Sequence, residues 1–383
     1  MPGLRANCLT ATGKDAIKSV DALSHTLDDF VNLISPAASN HLEHLATRSK
    51  KLTQRRFGKT IRLFAPLYLS NECINICSYC GFSRDNAILR TTLTVDEAVK
   101  EGKELKRQGF NNVLLVAGEN PRFVSNEYVA ECIAELNRFI PSISAELGPL
   151  KTHEYLPLVE GGAEGLVIYQ ETYDRNAYKA FHTAGPKKHF NWRLTTPERA
   201  YAAGFRRLGI GALFGLSDWR TEAIALAAHA LWLQKHCWKA QLTLSVPRLR
   251  PCAGDFDPVD SLKDSDLTQL ICAFRLLLPD AGIVLSTREP AAFRNGIIPL
   301  GITLMSAGSH TEPGGYTGTG LENLHLTERG KTIKSDEKTS EYGDSATEQF
   351  DVADRRSASD VADQITSLGF DPVWKDWDSA IIN

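Results

Sequence analysis

The feature that most limits the possible folds is a repeated alternation of strand-like and helix-like runs. Eight short apolar runs predict strands, at 63–70, 112–117, 142–147, 165–169, 207–212, 241–247, 282–287 and 301–306. Amphipathic stretches between them favour helices, for example at 95–108, 126–139, 221–236 and 265–278. A strand followed each time by a longer connection is typical of a parallel sheet with helices outside. The pattern therefore predicts an α/β fold, a (β/α)8 TIM-type barrel, with an open doubly wound sheet as the alternative.

The segments that flank this alternation differ from it in composition. Residues 1–60 read as an N-terminal helical extension and residues 61–317 as the barrel. Residues 318–383 form a polar variable segment and a C-terminal tail. Large apolar residues are scarce from 317 to 357, which indicates a mobile or surface-draped segment. The tail regains two tryptophans in the run 374–378 (WKDWD), and that much aromatic surface predicts docking on the body of the protein.

Charge and hydropathy exclude several classes of protein. The 383 residues carry a formal net charge of −3, so the basic surface that nucleic-acid binding requires is not expected. No run of eighteen apolar residues occurs, which argues against a membrane span, and residues 1–16 lack the plan of a secretory signal. We therefore expect a cytoplasmic protein that binds no nucleic acid and no membrane.

Three of the eight cysteines stand close together, in the run Cys73-Ile-Asn-Ile-Cys77-Ser-Tyr-Cys80. Thiolates at this spacing suit an iron–sulfur cluster or zinc. A structural zinc site needs a fourth Cys or His, and the next histidine downstream is the distant His153. Three ligands for four irons leave one iron with an open position, so we predict a cluster with an exchangeable site. We interpret the other five cysteines as small buried side chains, and Cys252 alone lies in a loop-like run that can face the active site.

Polar side chains gather where the predicted strands end. In strand order they are 71–80, Gly118-Glu119, Glu146 or Gly148, Gln170-Glu171, Arg248 with Arg250, Arg288-Glu289, and Ser306. In a barrel of parallel strands these ends meet at one rim, which carries the functional groups. The sequence therefore predicts one active site at this rim, beside the cysteine run.

The cysteine run follows the first strand and has an aromatic residue before its last cysteine, and in this it resembles the radical S-adenosylmethionine superfamily. Further runs resemble one family within it, the 2-iminoacetate synthases, which are the tyrosine lyases of bacterial thiamine biosynthesis. These runs are 65–71 (APLYLSN), 169–173 (YQETY), 245–251 (SVPRLRP), 285–289 (LSTRE), 313–316 (PGGY) and 374–378 (WKDWD). The likeness extends from about residue 33 to residue 378 and is poorest at residues 319–357.

This resemblance implies a (β/α)8 barrel that uses a four-iron, four-sulfur (4Fe-4S) cluster and S-adenosylmethionine. In the superfamily the open iron chelates the amino and carboxylate groups of S-adenosylmethionine, and reductive cleavage yields a 5′-deoxyadenosyl radical. The implied reaction takes hydrogen from the amino nitrogen of L-tyrosine, after which the Cα–Cβ bond breaks. The implied products are 2-iminoacetate (dehydroglycine) and p-cresol. Thiazole synthase (ThiG) is the expected recipient of the imine, and a flavodoxin-type protein is the expected electron donor.

The resemblance also implies roles for residues around the cofactors. Cys73, Cys77 and Cys80 are the expected cluster ligands. For S-adenosylmethionine the candidate contacts are Tyr79 on the adenine, Glu119 on the amino group, Glu171 on the ribose hydroxyls or in proton transfer, Arg193 on the carboxylate, and Arg248. A packed tyrosine, a solvated glutamate and a surface salt bridge are the alternatives for Tyr79, Glu119 and Arg193. Arg248 and Arg250 flank a proline-fixed turn; we expect Arg248 to face the cofactor and Arg250 to be structural.

Three further residues are candidates for the catalytic site. Arg288 follows the seventh predicted strand, and a planar guanidinium binds a carboxylate through two hydrogen bonds. We expect it on the carboxylate of tyrosine, as in the related aromatic amino-acid lyases. Ser306 is expected to donate a second bond to that carboxylate, and Tyr68 to orient the substrate amine. Simple packing is the alternative for both Ser306 and Tyr68.

Two related enzymes and one unrelated class remain as alternatives. The tyrosine lyase of hydrogenase maturation shares most of these runs but carries a further C-terminal domain with its own cysteines, and no cysteine follows Cys272 here. The tryptophan lyase of antibiotic biosynthesis shares the cysteine loop and the carboxylate anchor, and the run 374–378 favours the thiamine enzyme over it. A zinc-binding or scaffold protein is the remaining alternative, and iron and sulfide analysis distinguishes it.

Overall fold

The computed structural model describes residues 2–254, 256–333 and 343–374. Its helices are α1 (Pro2–Thr10), α2 (Gly13–Asp21), α3 (Leu27–Leu33), α4 (Leu42–Phe57), α5 (Val95–Arg107), α6 (Asn126–Asn137), α7 (Thr152–Glu160), α8 (Arg175–Phe181), α9 (Phe190–Leu194), α10 (Thr196–Ala203), α11 (Trp219–His236), α12 (Asp264–Leu277), α13 (Ala291–Gly301) and α14 (Ala358–Ser367). Its strands are β1 (Thr60–Ser70), β2 (Ile76–Cys77), β3 (Ile88–Arg90), β4 (Asn112–Ala117), β5 (Ser142–Glu146), β6 (Ala163–Glu171), β7 (His182–Ala184), β8 (Arg207–Ala212), β9 (Gln241–Ser245), β10 (Gly282–Leu285), β11 (Leu304–Ser306), β12 (His325–Glu328), β13 (Lys331–Thr332) and β14 (Asp371–Val373).

Eight parallel strands close into a barrel. Their order is β1, β4, β5, β6, β8, β9, β10 and β11, and β11 returns to pair with β1. The closing register runs from Arg62 opposite Leu304 to Phe64 opposite Ser306. The prediction of a (β/α)8 TIM-type barrel is therefore confirmed, and the open doubly wound sheet is wrong, because an open sheet keeps two unpaired edges.

The barrel strands are held by a hydrophobic core between their outer faces and the surrounding helices. The helix α5 shows how the sequence builds this layer. It starts at a capping box in which Thr94 and Glu97 bind each other's backbone N–H groups, and it buries Ala98 and Leu105. In the part of the chain that the structure describes, no helix combines the length and the apolarity that a bilayer crossing demands.

Two strand irregularities lie at the rim where the site is expected. The pairing of β1 with β4 shifts register between Tyr68 and Ser70. The pairing of β6 with β8 shifts between Tyr169 and Glu171, and Glu171 has a positive φ of 70°. Bulges at barrel rims re-aim side chains, so the backbone itself turns Tyr68 and Glu171 away from regular strand positions.

The two ends of the described chain pack on the barrel. Helices α1, α3 and α4 lie against α11, α12 and α13. The strand β14 pairs with the start of β1, and the ring of Trp374 lies 5.2 Å from that of Phe110. The tail thus docks as far as Trp374, whereas the rest of the predicted docking run, 375–378, falls outside the described residues. The division into segments 1–60, 61–317 and 318–383 stays a prediction.

Residues 343–354, here called the strap, cross the rim of the barrel rather than its outer surface. Backbone hydrogen bonds join the strap to β3 and to loops from different parts of the chain. Donor first, they are Thr347 N to Leu89 O (3.0 Å), Gln349 N to Thr311 O (2.9 Å), Gly81 N to Gln349 O (3.1 Å), Asp351 N to Pro251 O (2.9 Å) and Ala353 N to Thr287 O (3.0 Å). This part of the polar segment therefore forms a roof over the active-site end of the barrel.

Candidate active site

The three clustered cysteines lie on the loop after β1, where they line one cavity of about 600 Å³. The loop is held on one side by pairing of β2 with β7. On the other side it touches the end of β4, where a Cβ on Gly118 would lie 2.2 Å from the carbonyl oxygen of Glu72. Only glycine permits this approach, so Gly118 lets the cysteine loop seat directly on the barrel.

The donor set fits an iron–sulfur cluster. Among the described residues, no three His, Cys, Asp or Glu side chains converge on a single-ion site. A four-iron cluster makes a different demand, because each thiolate binds a separate iron. Burial raises the pKa of the Cys77 and Cys80 thiols, and the Lys187 ammonium acts in the opposite direction on both. A cation beside these sulfurs favours the deprotonated form that metal binding needs.

Glu119 lines the same cavity and is oriented by Asn75. The amide nitrogen of Asn75 donates to Oε2 of Glu119 at 2.7 Å and lies 3.6 Å from the sulfur of Cys73. The Asn75 Oδ1 atom in turn accepts from the backbone N–H of Lys187 at 2.9 Å. Asn75 thus connects the cysteine loop with Glu119, after the end of β4, and with Lys187, in the turn after β7.

Glu171 and Arg193 form a buried charged group in the same wall. The Glu171 Oε1 atom accepts from Lys187 Nζ at 2.7 Å and from Arg193 Nη2 at 3.1 Å, and Arg193 Nε donates to the carbonyl of Tyr169 at 2.6 Å. Burial opposes ionisation, but Lys187 and Arg193 hold the pKa of Glu171 below its usual range. Since Arg193 is buried, the alternative of a surface salt bridge is wrong.

Two predicted cofactor residues lie outside this wall. The Tyr79 ring packs edge-on against His182 and Phe256, and its hydroxyl bonds to Nε2 of His182 at 2.6 Å. Arg248 points towards acidic groups instead, with Nε 3.0 Å from Glu289 Oε2 and Nη1 2.6 Å from Asp264 Oδ1. Arg248 does not line the cavity that holds the three cysteines, because its N–H groups are bound to these carboxylates. Contact of Tyr79 with adenine stays a prediction.

A second cavity, of about 780 Å³, adjoins the first, and the structure brings the three predicted catalytic residues together in its wall. Tyr68, Arg288 and Ser306 all line it. The two cavities share three lining residues among those described, Val116, Glu146 and Gln349. These three residues, here called the partition, lie between the predicted substrate anchors and the predicted cluster ligands.

The strap orients two of these anchors. The Tyr68 hydroxyl donates to Oε1 of Gln349 at 2.7 Å. The Arg288 guanidinium lies over the ring of Phe350, 3.4 Å from its centroid, and a cation above an aromatic face is attracted by the ring quadrupole. Ser306 Oγ accepts the backbone N–H of Thr287 at 3.0 Å. Adjacent strap residues thus hold a phenol and a guanidinium in the same cavity.

Several residues of the two walls received no role from the sequence. Among them are Asn75, Glu146, Lys187, Gln349 and Phe350. Glu146 was noted at the end of the third predicted strand, as Glu146 or Gly148, but without a role. Lys187 lies in a turn with several other basic residues, and Gln349-Phe350 lies in a polar segment, so neither carried a signal. The prediction of small buried thiols is confirmed for Cys8, Cys132, Cys237 and Cys272, while Cys252 is half-buried.

Comparisons with known proteins agree with this arrangement. The family model described as Radical SAM superfamily matches residues 67–228, and the Biotin and Thiamin Synthesis associated domain matches residues 245–371. The chain is 42% identical to 2-iminoacetate synthase of Escherichia coli (strain K12), covering 98% of this chain and 93% of that protein. It is 41% identical to 2-iminoacetate synthase of Salmonella typhimurium, with the same coverage.

A solved structure shows the same fold. The X-ray structure of the FeFe-hydrogenase maturase HydG from Carboxydothermus hydrogenoformans superposes with a TM-score of 0.82 at 32% identity, covering 95% of this chain and 79% of that chain. The identity and coverage are greater for the Escherichia coli relative. The chain belongs to the 2-iminoacetate synthase family of the radical S-adenosylmethionine superfamily.

Proposed function

We propose that the two adjoining cavities divide the reaction between them, with the cofactors in the cysteine-lined cavity and tyrosine in the other. As a member of its family, the chain is a radical S-adenosylmethionine carbon–carbon lyase. It cleaves the Cα–Cβ bond of L-tyrosine to 2-iminoacetate and p-cresol and supplies the thiazole moiety of thiamine. The observation that carries the division is the shared partition between the two cavities.

Cys73, Cys77 and Cys80 hold the 4Fe-4S cluster in this proposal. When bound, the cluster and S-adenosylmethionine supply the 5′-deoxyadenosyl radical that takes hydrogen from the substrate. Glu119 is positioned by Asn75 as an acceptor for the ammonium of S-adenosylmethionine, since a carboxylate is the strong acceptor for a charged N–H donor. This assignment is supported by the position of Glu119 in the same wall as the cysteines.

Glu171 and Arg193 are assigned to the remaining polar groups of S-adenosylmethionine. Glu171 is ionised, because its pKa lies below the usual range, and its Oε1 atom is already taken by Lys187 and Arg193. Its other oxygen is the acceptor that we assign to ribose hydroxyls. Arg193 lies in the same wall and is the cation for the carboxylate.

Tyrosine lies in the second cavity with its carboxylate on Arg288 and Ser306. The Arg288 guanidinium has no protein acceptor among the described residues, so its N–H groups are available for a carboxylate. Ser306 Oγ already accepts from Thr287, so its hydroxyl hydrogen is free to donate. Tyr68 donates its own hydrogen to Gln349, so its oxygen can accept an N–H bond from the substrate amine.

The partners are inferred from the reaction rather than from a visible interface. An imine hydrolyses in water, so a protein that consumes it nearby is favoured, and we propose thiazole synthase (ThiG). Each turnover needs one-electron reduction of the cluster, for which we propose a flavodoxin-type donor. A cytoplasmic location fits an oxygen-sensitive cluster and free thiols.

The direct test is anaerobic turnover of the reconstituted protein with tyrosine and S-adenosylmethionine. We expect p-cresol together with glyoxylate, which is the hydrolysis product of the imine. Tryptophan in place of tyrosine tests the related tryptophan lyase, whose product is 3-methylindole-2-carboxylate. Formation of that product instead of p-cresol would contradict the substrate assignment.

Arg288→Lys tests the carboxylate anchor. A lysine retains the charge but loses the two-pronged geometry, so we expect weaker tyrosine binding and 5′-deoxyadenosine formation uncoupled from p-cresol. The ratio of the two products is measured by chromatography under anaerobic conditions. A wild-type ratio at wild-type tyrosine affinity would refute the role of Arg288.

A further inference from the structure

Glu146 occupies the partition between the two cavities. It is the last residue of β5, the third strand of the barrel, and its side chain lines both the cysteine-lined cavity and the substrate cavity. The hydrogen atom that starts the reaction has to cross between these cavities. A side chain at this partition is therefore placed beside the reacting part of the substrate.

The Glu146 carboxyl group has no partner among the residues that the structure describes. Across residues 2–254, 256–333 and 343–374, no backbone or side-chain group forms a hydrogen bond or an ion pair with it. Glu171, another carboxylate of the cysteine-lined cavity, is instead bound by Lys187 and Arg193. The Glu146 side chain is half-buried, and a carboxylate in this position that has no protein donor is free to accept one from a ligand in either cavity.

The surroundings leave Glu146 able to exchange a proton near neutral pH. Burial raises the pKa of its carboxyl to about 7, and the charge of Glu171 acts in the same direction. Arg288, Arg193 and Lys187 oppose the shift. Tyr68 and Tyr169 line the same cavity as Glu146, and burial raises the pKa of both.

Two carboxyl groups in one site thus have opposite tendencies. The pKa of Glu171 is lowered by its two cations, whereas Glu146 has no bound cation. Where environments push the pKa values of neighbouring acids apart, the two acids take different roles. Glu171 is the permanent anion, and Glu146 is the group that can gain and lose a proton.

We propose that Glu146 binds the α-ammonium group of tyrosine and accepts one proton from it, so that the hydrogen atom is taken from a neutral amine. The inference rests on the proposed placement of the tyrosine carboxylate at Arg288, which leaves the ammonium without a counter-charge. In this step an N–H bond breaks heterolytically, the proton forms an O–H bond on Glu146, and the electron pair stays on nitrogen. No oxidant or reductant takes part.

The charge state of the amine decides how the Cα–Cβ bond can break. An ammonium nitrogen has no lone pair, so loss of hydrogen from it gives no conjugation with the breaking bond. A neutral amine keeps its lone pair and gives a neutral imine when the bond breaks. Tyr68 accepts a second N–H of the same group, so the amine has one acceptor at Glu146 and another at Tyr68.

The ammonium of S-adenosylmethionine is the other source of the same chemistry, because Glu146 also lines the cluster cavity. We assign Glu146 to tyrosine because Glu119, already oriented by Asn75 at 2.7 Å, provides a carboxylate in that cavity. The two sources differ in the binding step at which protons are released.

The test measures proton release on tyrosine binding without turnover. Protein reconstituted with the cluster and saturated with S-adenosylmethionine is titrated with tyrosine by calorimetry in buffers of different ionisation enthalpy, with no reductant. At pH 6 free Glu146 is mostly protonated, so sharing one proton with the ammonium releases about one proton to solvent. At pH 8 Glu146 is ionised and no net release is expected.

Glu146→Gln removes the acid group at constant size. We expect it to abolish the pH-dependent proton release, to weaken tyrosine binding, and to lower kcat/KM by about 100-fold, the scale of general base catalysis. It leaves the affinity for S-adenosylmethionine and the iron content unchanged. Glu146→Asp is expected to restore the proton release in part, and Glu160→Gln, at an exposed position of α7, is the control for loss of one charge.

Three outcomes test the roles of Glu146 and Arg288. Wild-type proton release and turnover in Glu146→Gln overturn the proposal. Proton release that accompanies S-adenosylmethionine binding instead of tyrosine binding also overturns it, since the carboxyl then serves the cofactor. Arg288→Lys is run in parallel: if it leaves tyrosine affinity unchanged, the carboxylate anchor has failed, whereas failure of Glu146→Gln alone leaves that anchor intact.

Discussion

Asp354 ties the end of the strap to the barrel through a buried ion pair, and its removal gives a measurable stability prediction. Its carboxylate pairs with Arg294 of α13, and neither side chain is exposed to solvent. Arg356 donates to the same carboxylate at 2.6 Å from Nη2 and 2.9 Å from Nε. Arg294 also donates to the carbonyl of Ser306, so the pair connects the strap to the last barrel strand.

Asp354→Ala leaves the guanidinium of Arg294 buried without its counter-charge. Removing one partner of a buried pair costs about 3–5 kcal/mol. Arg356 adds little to this cost, because its side chain is 23% exposed and water can replace the lost acceptor. The carbonyl of Ser306 still accepts from Arg294, so we expect the lower end, a loss of about 3 kcal/mol in the free energy of unfolding.

The assay is anaerobic urea unfolding at pH 7, with Glu348→Ala as the matched control. Glu348 pairs with Arg355 at 3.4 Å, but Arg355 is 65% exposed, and a pair of this kind is worth about 0.5 kcal/mol. A loss below about 1 kcal/mol for Asp354→Ala would refute the reasoning, because a buried guanidinium would then tolerate the loss of its anion.

The same pair predicts a pH dependence. Burial works against the ionised form of Asp354, but Arg356 and Arg294 together hold the pKa of Asp354 below its usual range. A carboxyl whose pKa is lower in the folded state contributes stability above its unfolded pKa of about 3.9. That contribution is lost as the pH falls through the folded value, so the difference between wild type and Asp354→Ala should narrow below about pH 4.

Two further substitutions test the strap. Phe350→Leu removes the aromatic face that lies 3.4 Å from the Arg288 guanidinium; such contacts are worth about 0.5–2 kcal/mol, so the tyrosine Kd should rise about 2- to 30-fold in equilibrium binding, and an unchanged Kd would contradict it. Gly81→Ala puts a Cβ 2.6 Å from the backbone oxygen of Gln349, which cannot swing away as a side chain would. We expect p-cresol formation to fall while iron and sulfide content is retained, with Gly296→Ala, which meets nothing within 4 Å, as the control; wild-type turnover in Gly81→Ala would show that the strap need not touch the cysteine loop.

Much of the barrel can be predicted from local sequence patterns. The predicted strand 112–117 coincides with β4 (Asn112–Ala117), and 207–212 coincides with β8 (Arg207–Ala212). Such strands are short, largely apolar runs, and a strand buried on both faces needs little else to be recognised. Parallel closure then brings the strand ends to one rim, which explains why Glu119, Glu171 and Ser306 could be assigned to one region.

The direction of a rim side chain is harder to predict than its position. Arg248 follows the sixth barrel strand, as a site residue would, yet its guanidinium binds Glu289 and Asp264. Those acids come from two separate later segments, so their meeting with Arg248 depends on tertiary packing. The arginine at position 288 has no such competitor among the described residues and faces the cavity. Sequence position alone does not separate these two cases.

The strap shows why a polar composition does not by itself indicate mobility. The expectation of a draped segment came from its scarcity of large apolar side chains, which measures how much core a segment can build. The strap is held instead by its main chain, which bonds to backbone groups of β3 and of four loops. Every residue has a backbone carbonyl, and every residue except proline has a backbone N–H, so composition carries no record of these bonds. Two of its side chains, Gln349 and Phe350, reach Tyr68 and Arg288, and these contacts depend on the position of the main chain rather than on the average composition of the segment.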